Sequence, residues 1–319
     1  MDIKKHVYRQ VLKKRINEGL VDDYDTKQLR PDLKYYAFDW DDNLMFMPTK
    51  IMVVSENDDE IGMSTEDFAE HRTQIGVEPF KYKSTTIVGF ADEPFRFFRE
   101  QGDKRFIVDS MTAPLGPAWN DFVECINGGS IFAIITARGH NPETLKESVY
   151  NLIMSNKNGL NKKKLEESLR QYDLLTSGGI SEDIRPSMNT TIEQYLSMCK
   201  FHPVSYGSGS AASPEEGKNK ALKGFISYCR DIAKNLIQLI LKKNPNTNLN
   251  DLTPKFKNDV SMDEMIVDVD EFVNRHTTLG FSDDDQRNIE ASSEFLNKEF
   301  EKNPVNLYLT KGGKKTRFN

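Results

Sequence analysis

Two aspartates that directly follow a short apolar stretch could take part in metal-dependent or acid–base chemistry. Residues 35–38 are aromatic and aliphatic, as expected of a buried strand, and Asp39 and Asp41 come next. Side chains two positions apart on an extended chain point to one side, so we expect both carboxylates in one small site. Neighbouring carboxylates repel each other unless a cation lies between them, which indicates a metal site. The alternative is an acidic turn without a chemical role.

A second apolar stretch, residues 131–135, ends in Thr136 and Ala137. A helix is predicted shortly afterwards, with Asn141 as its N-cap and Pro142 at its first position. A hydroxyl group and free backbone amides between a strand end and a helix start suit an anion such as phosphate. We therefore predict that Thr136 and Ala137 bind phosphate, with an ordinary strand-to-helix turn as the alternative.

Three consecutive aspartates, Asp283, Asp284 and Asp285, follow a third short strand pattern. They are predicted either to hold a cation or to cap the helix that comes next. A similar acidic pattern occurs earlier, at residues 265–272. Too few residues separate it from the three aspartates for the crossover that a parallel sheet requires, and its apolar residues fit one face of a helix. We predict an amphipathic helix there.

A long helix is predicted at residues 213–243, where apolar residues recur at helical spacing after a capping box formed by Ser213 and Glu216. A lysine near its start could lean toward the acidic site. Lys218 and Lys220 both lie in the first turns of the helix, and sequence spacing does not distinguish between them. The alternative for each lysine is a solvated charge on the surface.

These features occur in the order paired aspartates, threonine, lysine and paired aspartates, and this order resembles the haloacid dehalogenase superfamily of phosphotransferases. The resemblance implies that Asp39 is the nucleophile that becomes an aspartyl-phosphate and that Asp41 is the general acid and base. It also implies that Thr136 binds phosphate, that Lys218 screens the nucleophile and the phosphate, and that Mg²⁺ is the cofactor. The acids that it assigns to the metal are Asp39, Asp41, Asp283 and Asp284.

The chain departs from the family pattern at two further places. Asn43 stands where the family usually has threonine or valine, and we expect it to alter a turn contact and to leave the acids in place. Residues 281–282 precede the last acidic block where the family often has glycine. This departure leaves open whether Asp283 or Asp284 contacts the ion directly.

The strand patterns and the resemblance together predict an α/β protein with a Rossmann-like parallel sheet between helices and an inserted cap. The core is predicted to comprise residues 1–47 and 110–300. Residues 48–109 are too many for a simple strand-to-helix link, so we assign them to the cap. A second insertion is considered at residues 158–200, and residues 301–319 are assigned to a C-terminal tail. The basic, glycine-containing end of this tail, residues 311–319, is predicted to be disordered, with a nucleic-acid contact as the alternative.

The composition of the 319-residue chain is that of a soluble protein with one large or two modest domains. Its net charge of −6 excludes an overall nucleic-acid footprint, so binding of DNA or RNA would require a local basic patch. Its three cysteines lack zinc-site spacing and are predicted to be reduced. No apolar stretch approaches the roughly 20 residues of a membrane helix, and no signal sequence is recognised. We therefore expect a cytoplasmic protein without membrane contact.

The combined interpretation is a Mg²⁺-dependent phosphomonoester hydrolase that acts through an aspartyl-phosphate on a small phosphometabolite or a nucleotide. One alternative is a non-catalytic protein that keeps the fold and binds a phosphorylated ligand or a protein partner. Another is a nucleic-acid end-processing phosphatase, because residues 162–164 and the predicted tail are basic. The sequence leaves the physiological substrate, the phosphate acceptor and the number of subunits open.

Overall fold

The computed structural model describes residues 33–177, 188–207, 213–243, 245, 248–252, 268–300 and 304–318. Residues 1–32 of the predicted core lie outside this part of the chain, as do residues 265–267 of the predicted amphipathic helix.

The described residues form ten strands and nine α-helices. The strands are β1 (Lys34–Phe38), β2 (Ile51–Ser55), β3 (Glu60–Met63), β4 (Phe80–Tyr82), β5 (Thr85–Phe90), β6 (Phe132–Thr136), β7 (Lys200–Pro203), β8 (Thr278–Asp283), β9 (Val305–Lys311) and β10 (Lys314–Arg317). The helices are α1 (Thr65–His71), α2 (Asp103–Thr112), α3 (Trp119–Asn127), α4 (Pro142–Met154), α5 (Lys162–Ser177), α6 (Met188–Met198), α7 (Pro214–Lys243), α8 (Val269–His276) and α9 (Gln286–Glu299). None of these helices combines the length and the apolar content needed to cross a bilayer.

A six-stranded sheet in the order β10-β9-β8-β1-β6-β7 forms the centre of the main body. The five strands from β9 to β7 in that order are parallel, and β10 runs antiparallel at one edge. Strand β6 is buried along its whole length, as is typical of a parallel strand with helices on both sides. The prediction of an α/β protein whose mostly parallel sheet is flanked by helices is confirmed.

Apolar layers cover the two faces of this sheet because side chains alternate along each strand. Tyr35 and Ala37 of β1 belong to the layer that includes α7, α8 and α9, whereas Phe38 belongs to the layer that includes α3 and α4. The cysteines are buried free thiols, and these are Cys125, Cys199 and Cys229. The sheet is thus held on both sides, which fixes the ends of its strands.

The segment predicted as a cap contains a separate four-stranded antiparallel sheet in the order β3-β2-β5-β4. Helix α1 packs beside it and begins after Ser64, whose hydroxyl accepts a hydrogen bond from the Asp67 N–H at 3.1 Å. The sheet has its own small core, to which Val53, Met63 and Ile87 contribute. We refer to β2–β5 and α1 as the four-stranded unit.

Two of the predicted segment boundaries differ from the structure. The cap boundary at residue 109 falls inside α2, and Phe106 of that helix packs in the main core against Trp40, with ring centroids 5.1 Å apart. The segment considered as a second insertion supplies α5 and α6, whose Leu165 and Tyr195 belong to the same core. The main body therefore resumes at α2 and includes these helices.

The segment assigned to a C-terminal tail, residues 301–319, belongs to the main sheet in its described part, and the prediction of a disordered end at 311–319 is wrong for residues 311–318. Strand β9 pairs with β8 in parallel, and its Val305 and Leu307 are buried in the main core. Gly312 and Gly313 both have positive φ angles, 61° and 71°, which let the chain turn back into β10. The physical reason is the alternation of apolar and polar residues in β9, which makes a half-buried strand despite the basic residues that follow.

Candidate functional site

The carboxyl ends of β1 and β8 bring three acids together. The two strands are adjacent and parallel with Phe38 opposite Ser282, so Asp39 and Asp283 leave the sheet side by side. One carboxylate oxygen from each of Asp39, Asp283 and Asp284 lies within 4.8 Å of the other two. In the described part of the chain, no other group of acidic, histidine or cysteine side chains meets this condition for holding a metal ion. We call these three residues the acid cluster.

Lys218 of α7 neutralises part of this charge. Its Nζ lies 2.6 Å from Asp283 Oδ2 and 3.2 Å from Asp39 Oδ1, and its side chain is 2% exposed. Burial opposes the ammonium charge, but the adjacent carboxylates of Asp283 and Asp39 outweigh burial and raise the pKa of Lys218. Lys220 is exposed. Of the two lysines that sequence spacing does not separate, only Lys218 reaches the acids.

The carboxylate oxygens of the acid cluster differ in the hydrogen bonds that they accept. Asp283 Oδ1 accepts hydrogen bonds from the Asp285 N–H at 3.0 Å and from Asn288 Nδ2 at 2.9 Å, while Oδ2 contacts Lys218. Asp39 Oδ1 is buried and has no hydrogen-bond partner among the described residues, since the ammonium beside it lacks hydrogen-bond geometry. A buried carboxylate oxygen in this condition is costly unless another positive group approaches it.

Burial makes the ionised forms of two of these acids unfavourable. It raises the pKa of Asp39 to about 7, because the carboxylates of Asp283 and Asp41 add to the effect of burial and Lys218 only partly opposes it. Burial also raises the pKa of Asp284, and the carboxylates of Asp283 and Asp39 contribute. Three carboxylates face one ammonium, so the acid cluster favours a bound cation.

Asp41 lies beside the acid cluster but is not part of it. Both of its carboxylate oxygens accept hydrogen bonds from Arg138, at 2.7 Å from Nε and at 2.6 Å from Nη2. The structure therefore does not bring the Asp41 side chain, predicted as a fourth metal ligand, into the group that could hold the ion. The physical reason is that a guanidinium group matches a carboxylate in shape and charge, so Asp41 pairs with Arg138 through one lone pair of each oxygen and not with the acid cluster.

Thr136 and Ala137 lie at the same edge of the sheet as the acids. Strand β6 is parallel to β1 with Ile134 opposite Phe38, so Thr136 stands two residues beyond that pair. The Thr136 hydroxyl is buried and accepts a weak hydrogen bond from the Arg138 N–H at 3.4 Å, whereas Ala137 is exposed. Of the two residues predicted to bind phosphate, Thr136 is the last residue of the strand next to β1, and Ala137 follows it.

Asn43 fastens the loop after β1 to two other strands. Its Nδ2 donates to the Asp39 carbonyl at 2.8 Å and to Ser282 Oγ at 3.1 Å. Its Oδ1 accepts a hydrogen bond from Thr310 Oγ1 of β9 at 2.9 Å. Asn43 therefore changes the turn contact by forming a buried bridge between β1, β8 and β9. The acids remain at the ends of their strands.

We expect Asn43→Ala to lower the free energy of unfolding by about 1–3 kcal/mol, because it leaves buried hydrogen-bonding groups of Ser282 and Thr310 without this partner. Urea denaturation followed by circular dichroism measures the change. Asn297→Ala, at an exposed position of α9, is the matched control and should leave the midpoint nearly unchanged. Equal midpoints for both variants would show that the Asn43 bridge does not stabilise the loop.

Helix α1 of the four-stranded unit contacts the elements that carry the acids. Arg72, at the end of α1, forms ion pairs with Glu215 of α7 and with Asp285, the latter at 3.4 Å. Arg287 of α9 donates a hydrogen bond to the carbonyl of Ala69. These contacts hold the four-stranded unit against the same edge of the main sheet as the acid cluster.

The role of Lys218 was ambiguous in the sequence and Arg138 received none, although the positions of both residues relative to apolar neighbours indicate burial. Lys218 lies four residues before Leu222, a core residue, and therefore on the buried face of α7, whereas Lys220 is rotated away from it. Arg138 stands three residues after the apolar stretch 131–135. A charged side chain in that place requires a buried partner, and the partner is Asp41.

A scan against protein-family models and searches among curated proteins and solved structures found no match to this chain. The resemblance to the haloacid dehalogenase superfamily therefore stays a prediction from the order of the short motifs in the sequence.

Proposed function

We propose that this chain is a Mg²⁺-dependent phosphomonoester hydrolase of the haloacid dehalogenase type, which acts through an aspartyl-phosphate at Asp39. The main support is the meeting of Asp39, Asp283 and Asp284 within 4.8 Å of one another, with Lys218 in contact with two of them. A carboxylate attacks a phosphate ester only when the negative charges of both are neutralised, and this arrangement provides for that. An acid cluster that only capped a helix would not need a buried lysine.

The donor set fits Mg²⁺. All three candidate ligands are carboxylates, and Mg²⁺ prefers oxygen ligands and keeps several waters, so a few acids suffice. The buried Asp39 Oδ1 accepts no hydrogen bond from the part of the chain that the structure describes, and it is an oxygen that such an ion would satisfy. Mg²⁺ would be held by Asp39, Asp283 and Asp284 and would supply charge neutralisation for the phosphate and the attacking carboxylate.

The residues of the chain account for both chemical steps. In the first, an Asp39 carboxylate oxygen attacks phosphorus, the bond from phosphorus to the ester oxygen breaks, and Asp41 donates its proton to the leaving alcohol. In the second, Asp41 takes a proton from water, whose oxygen attacks phosphorus, and the bond from phosphorus to Asp39 breaks. Inorganic phosphate and the free carboxylate result. Thr136 and the backbone of Ala137 bind the phosphate oxygens, and Lys218 screens the charge.

The four-stranded unit acts as the cap of this site. Its helix α1 is tied to Glu215 and Asp285, close to the acids, by Arg72. A cover of this kind restricts the space above the nucleophile, which supports a small phosphometabolite or a nucleotide as the substrate. We expect the cap to choose among such esters.

Hydrolysis of a panel of phosphate esters, with Mg²⁺ and with EDTA, tests the proposal. The panel contains an aryl phosphate, phosphometabolites, nucleotides and oligonucleotides with a terminal phosphate. We expect phosphate release that requires Mg²⁺ and stops on chelation. Binding of phosphorylated ligands without hydrolysis would favour the non-catalytic alternative, and release from oligonucleotide ends alone would favour the end-processing one.

We expect the affinity for Mg²⁺ to be about tenfold weaker at pH 6 than at pH 8. The pKa of Asp39 is raised to about 7 in the metal-free protein, so at lower pH its carboxylate carries a proton that the ion must displace. At higher pH the carboxylate is already ionised and binds the ion without this cost. Calorimetric titration in two buffers of different ionisation enthalpy measures both the affinity and the protons released.

An affinity that does not change between pH 6 and pH 8, or binding without proton release, would contradict the assignment of Asp39 as a ligand. The matched control is Asp58→Asn, in the exposed turn between β2 and β3, which should keep the pH dependence of the natural protein.

A further inference from the structure

Arg138 is a buried cation whose side-chain nitrogens all lie within hydrogen-bonding distance of other residues. It is 1% exposed, and its Nε and Nη2 both donate to Asp41. The same Nη2 lies 3.1 Å from Thr49 Oγ1, and Nη1 lies 3.0 Å from His140 Nε2. Each of its three nitrogens therefore has a partner, which leaves the guanidinium no freedom to turn.

Two aromatic rings flank the guanidinium, and a second carboxylate holds the histidine beside it. The rings of Phe98 and Phe106 have their centroids 4.5 and 4.8 Å from its central carbon. His140 is in turn bound through Nδ1 to Asp103 Oδ1 at 2.7 Å. Since Arg138 donates to Nε2, the proton of a neutral His140 lies on Nδ1 and points to Asp103. The network thus runs from Asp103 through His140 and Arg138 to Asp41.

Arg138 also contacts both segments that connect the four-stranded unit to the main sheet. Thr49 lies just before β2, on the way into the unit. Phe98 follows β5, on the way out, and its carbonyl accepts a hydrogen bond from the Gly139 N–H at 2.8 Å. A shift of either segment would therefore be transmitted to the residue that holds Asp41.

We propose that Arg138 is a positioning residue that sets the direction of the Asp41 carboxylate and links it to both connections of the four-stranded unit. This inference rests on the proposed function, in which Asp41 gives a proton to the leaving alcohol. Arg138 itself touches neither the substrate nor the reacting atoms. Its removal affects those steps in which Asp41 must point at the departing oxygen.

The leaving group distinguishes positioning of Asp41 from general support of the fold. An alkyl phosphate needs a proton on its departing oxygen, whereas a dinitrophenyl phosphate releases a stable phenolate that does not. The measurement is the first turnover with enzyme in excess, in which release of the alcohol or phenol is followed. Hydrolysis of the aspartyl-phosphate then does not enter the rate.

We expect Arg138→Met to slow hydrolysis of the alkyl ester by at least about 100-fold, within the range that proton transfer by a placed side chain contributes. Hydrolysis of the dinitrophenyl ester, which does not need this proton, should slow by less than about tenfold. Asp41→Asn should give the same pattern. The double variant should be no slower on the alkyl ester than Asp41→Asn alone, because Arg138 acts only through Asp41. Arg105→Met, at an exposed position of α2, is the matched control.

Two gentler variants test the link to the four-stranded unit. Thr49→Val keeps the shape of the side chain but removes its hydroxyl from Arg138, and it should slow the alkyl ester selectively by about fivefold, the effect of one hydrogen bond. Thr112→Val, at an exposed position of α2, should have no effect. Equal slowing of both esters by Thr49→Val would overturn the link.

The positioning role would be overturned if the rate losses of the two single variants multiplied in the double variant. It would also be overturned if Arg138→Met slowed both esters equally. Arg138→Met alone could unfold the protein, because it leaves the Asp41 charge buried without a partner. The double variant lacks both charges, so its rate on the alkyl ester, compared with that of Asp41→Asn, still tests the positioning role. A natural protein that hydrolyses neither ester would overturn the proposed function instead, and with it this inference.

Discussion

Asp39→Asn is expected to lower kcat/KM for phosphate-ester hydrolysis by at least about 10⁴-fold, as removal of a nucleophile does in other enzymes with covalent intermediates. An amide oxygen cannot form the aspartyl-phosphate and carries no charge for a cation. The substitution keeps the size of the side chain, so the loop after β1 and its bridge through Asn43 to β8 and β9 should persist. The loss would therefore report on chemistry.

Steady-state hydrolysis of an aryl phosphate with Mg²⁺ measures this loss. Acid quenching with a labelled substrate shows in addition whether phosphate becomes attached to the protein, and the label should be present in the natural protein and absent from Asp39→Asn. Asp58→Asn, in an exposed turn, makes the same chemical change far from the acids in sequence and should keep full activity. Equal rates for the natural protein and Asp39→Asn would reject the covalent mechanism.

Lys218→Met should destabilise the metal-free protein by about 3–5 kcal/mol, the usual cost of removing one partner of a buried ion pair. Lys218 is 2% exposed and contacts both Asp39 and Asp283, whose side chains are 5% and 0% exposed. Without the ammonium, these buried carboxylates keep their desolvation cost and lose the charge that compensates for it. Activity should fall with stability, because in the proposed reaction the same ammonium screens the nucleophile.

Urea denaturation in EDTA gives the change in free energy of unfolding, and a second series with saturating Mg²⁺ should recover part of the loss. An ion that binds only the folded state stabilises it by about 2.7 kcal/mol at one hundred times its dissociation constant. Lys220→Met, on the exposed side of the same helix, is the control and should change the midpoint little. If Lys220→Met were the more destabilising of the two, the placement of α7 over the acids would be wrong.

Asp39 and Asp41, two positions apart in the sequence, belong to two different charge networks in the folded protein. Asp39 interacts with Lys218 and Asp283, while Asp41 is held by Arg138. The strand ends at Phe38, and the chain then turns, with Asp42 at a φ angle of 52°. The rule that alternate residues share a side holds only within the extended strand. The two carboxylates therefore lie near each other but have separate partners, which gives them separate roles in the proposed reaction.

Several features of this protein were determined by the sequence alone because they depend on near neighbours along the chain. Apolar stretches of strand length marked β1, β6 and β8, and polar residues followed them at the ends where parallel strands meet. The helix starts at Asn141 and Ser213 were predicted by local capping, and both side chains accept the expected hydrogen bonds. These patterns were enough to predict an α/β protein with its acids at one edge of a parallel sheet.

Other features were decided only by tertiary structure, because they depend on how distant elements pack. The packing of α7 against the sheet brings Lys218 Nζ to Asp39 and Asp283, which the helical spacing alone does not show. Pairing with β8 turns the basic C-terminal segment into two strands, since β9 gains backbone partners and buries Leu307 there. The pairing of Arg138 with Asp41 joins residues 97 positions apart. No local pattern encodes such a contact, because its energy arises only when both charges are removed from water together.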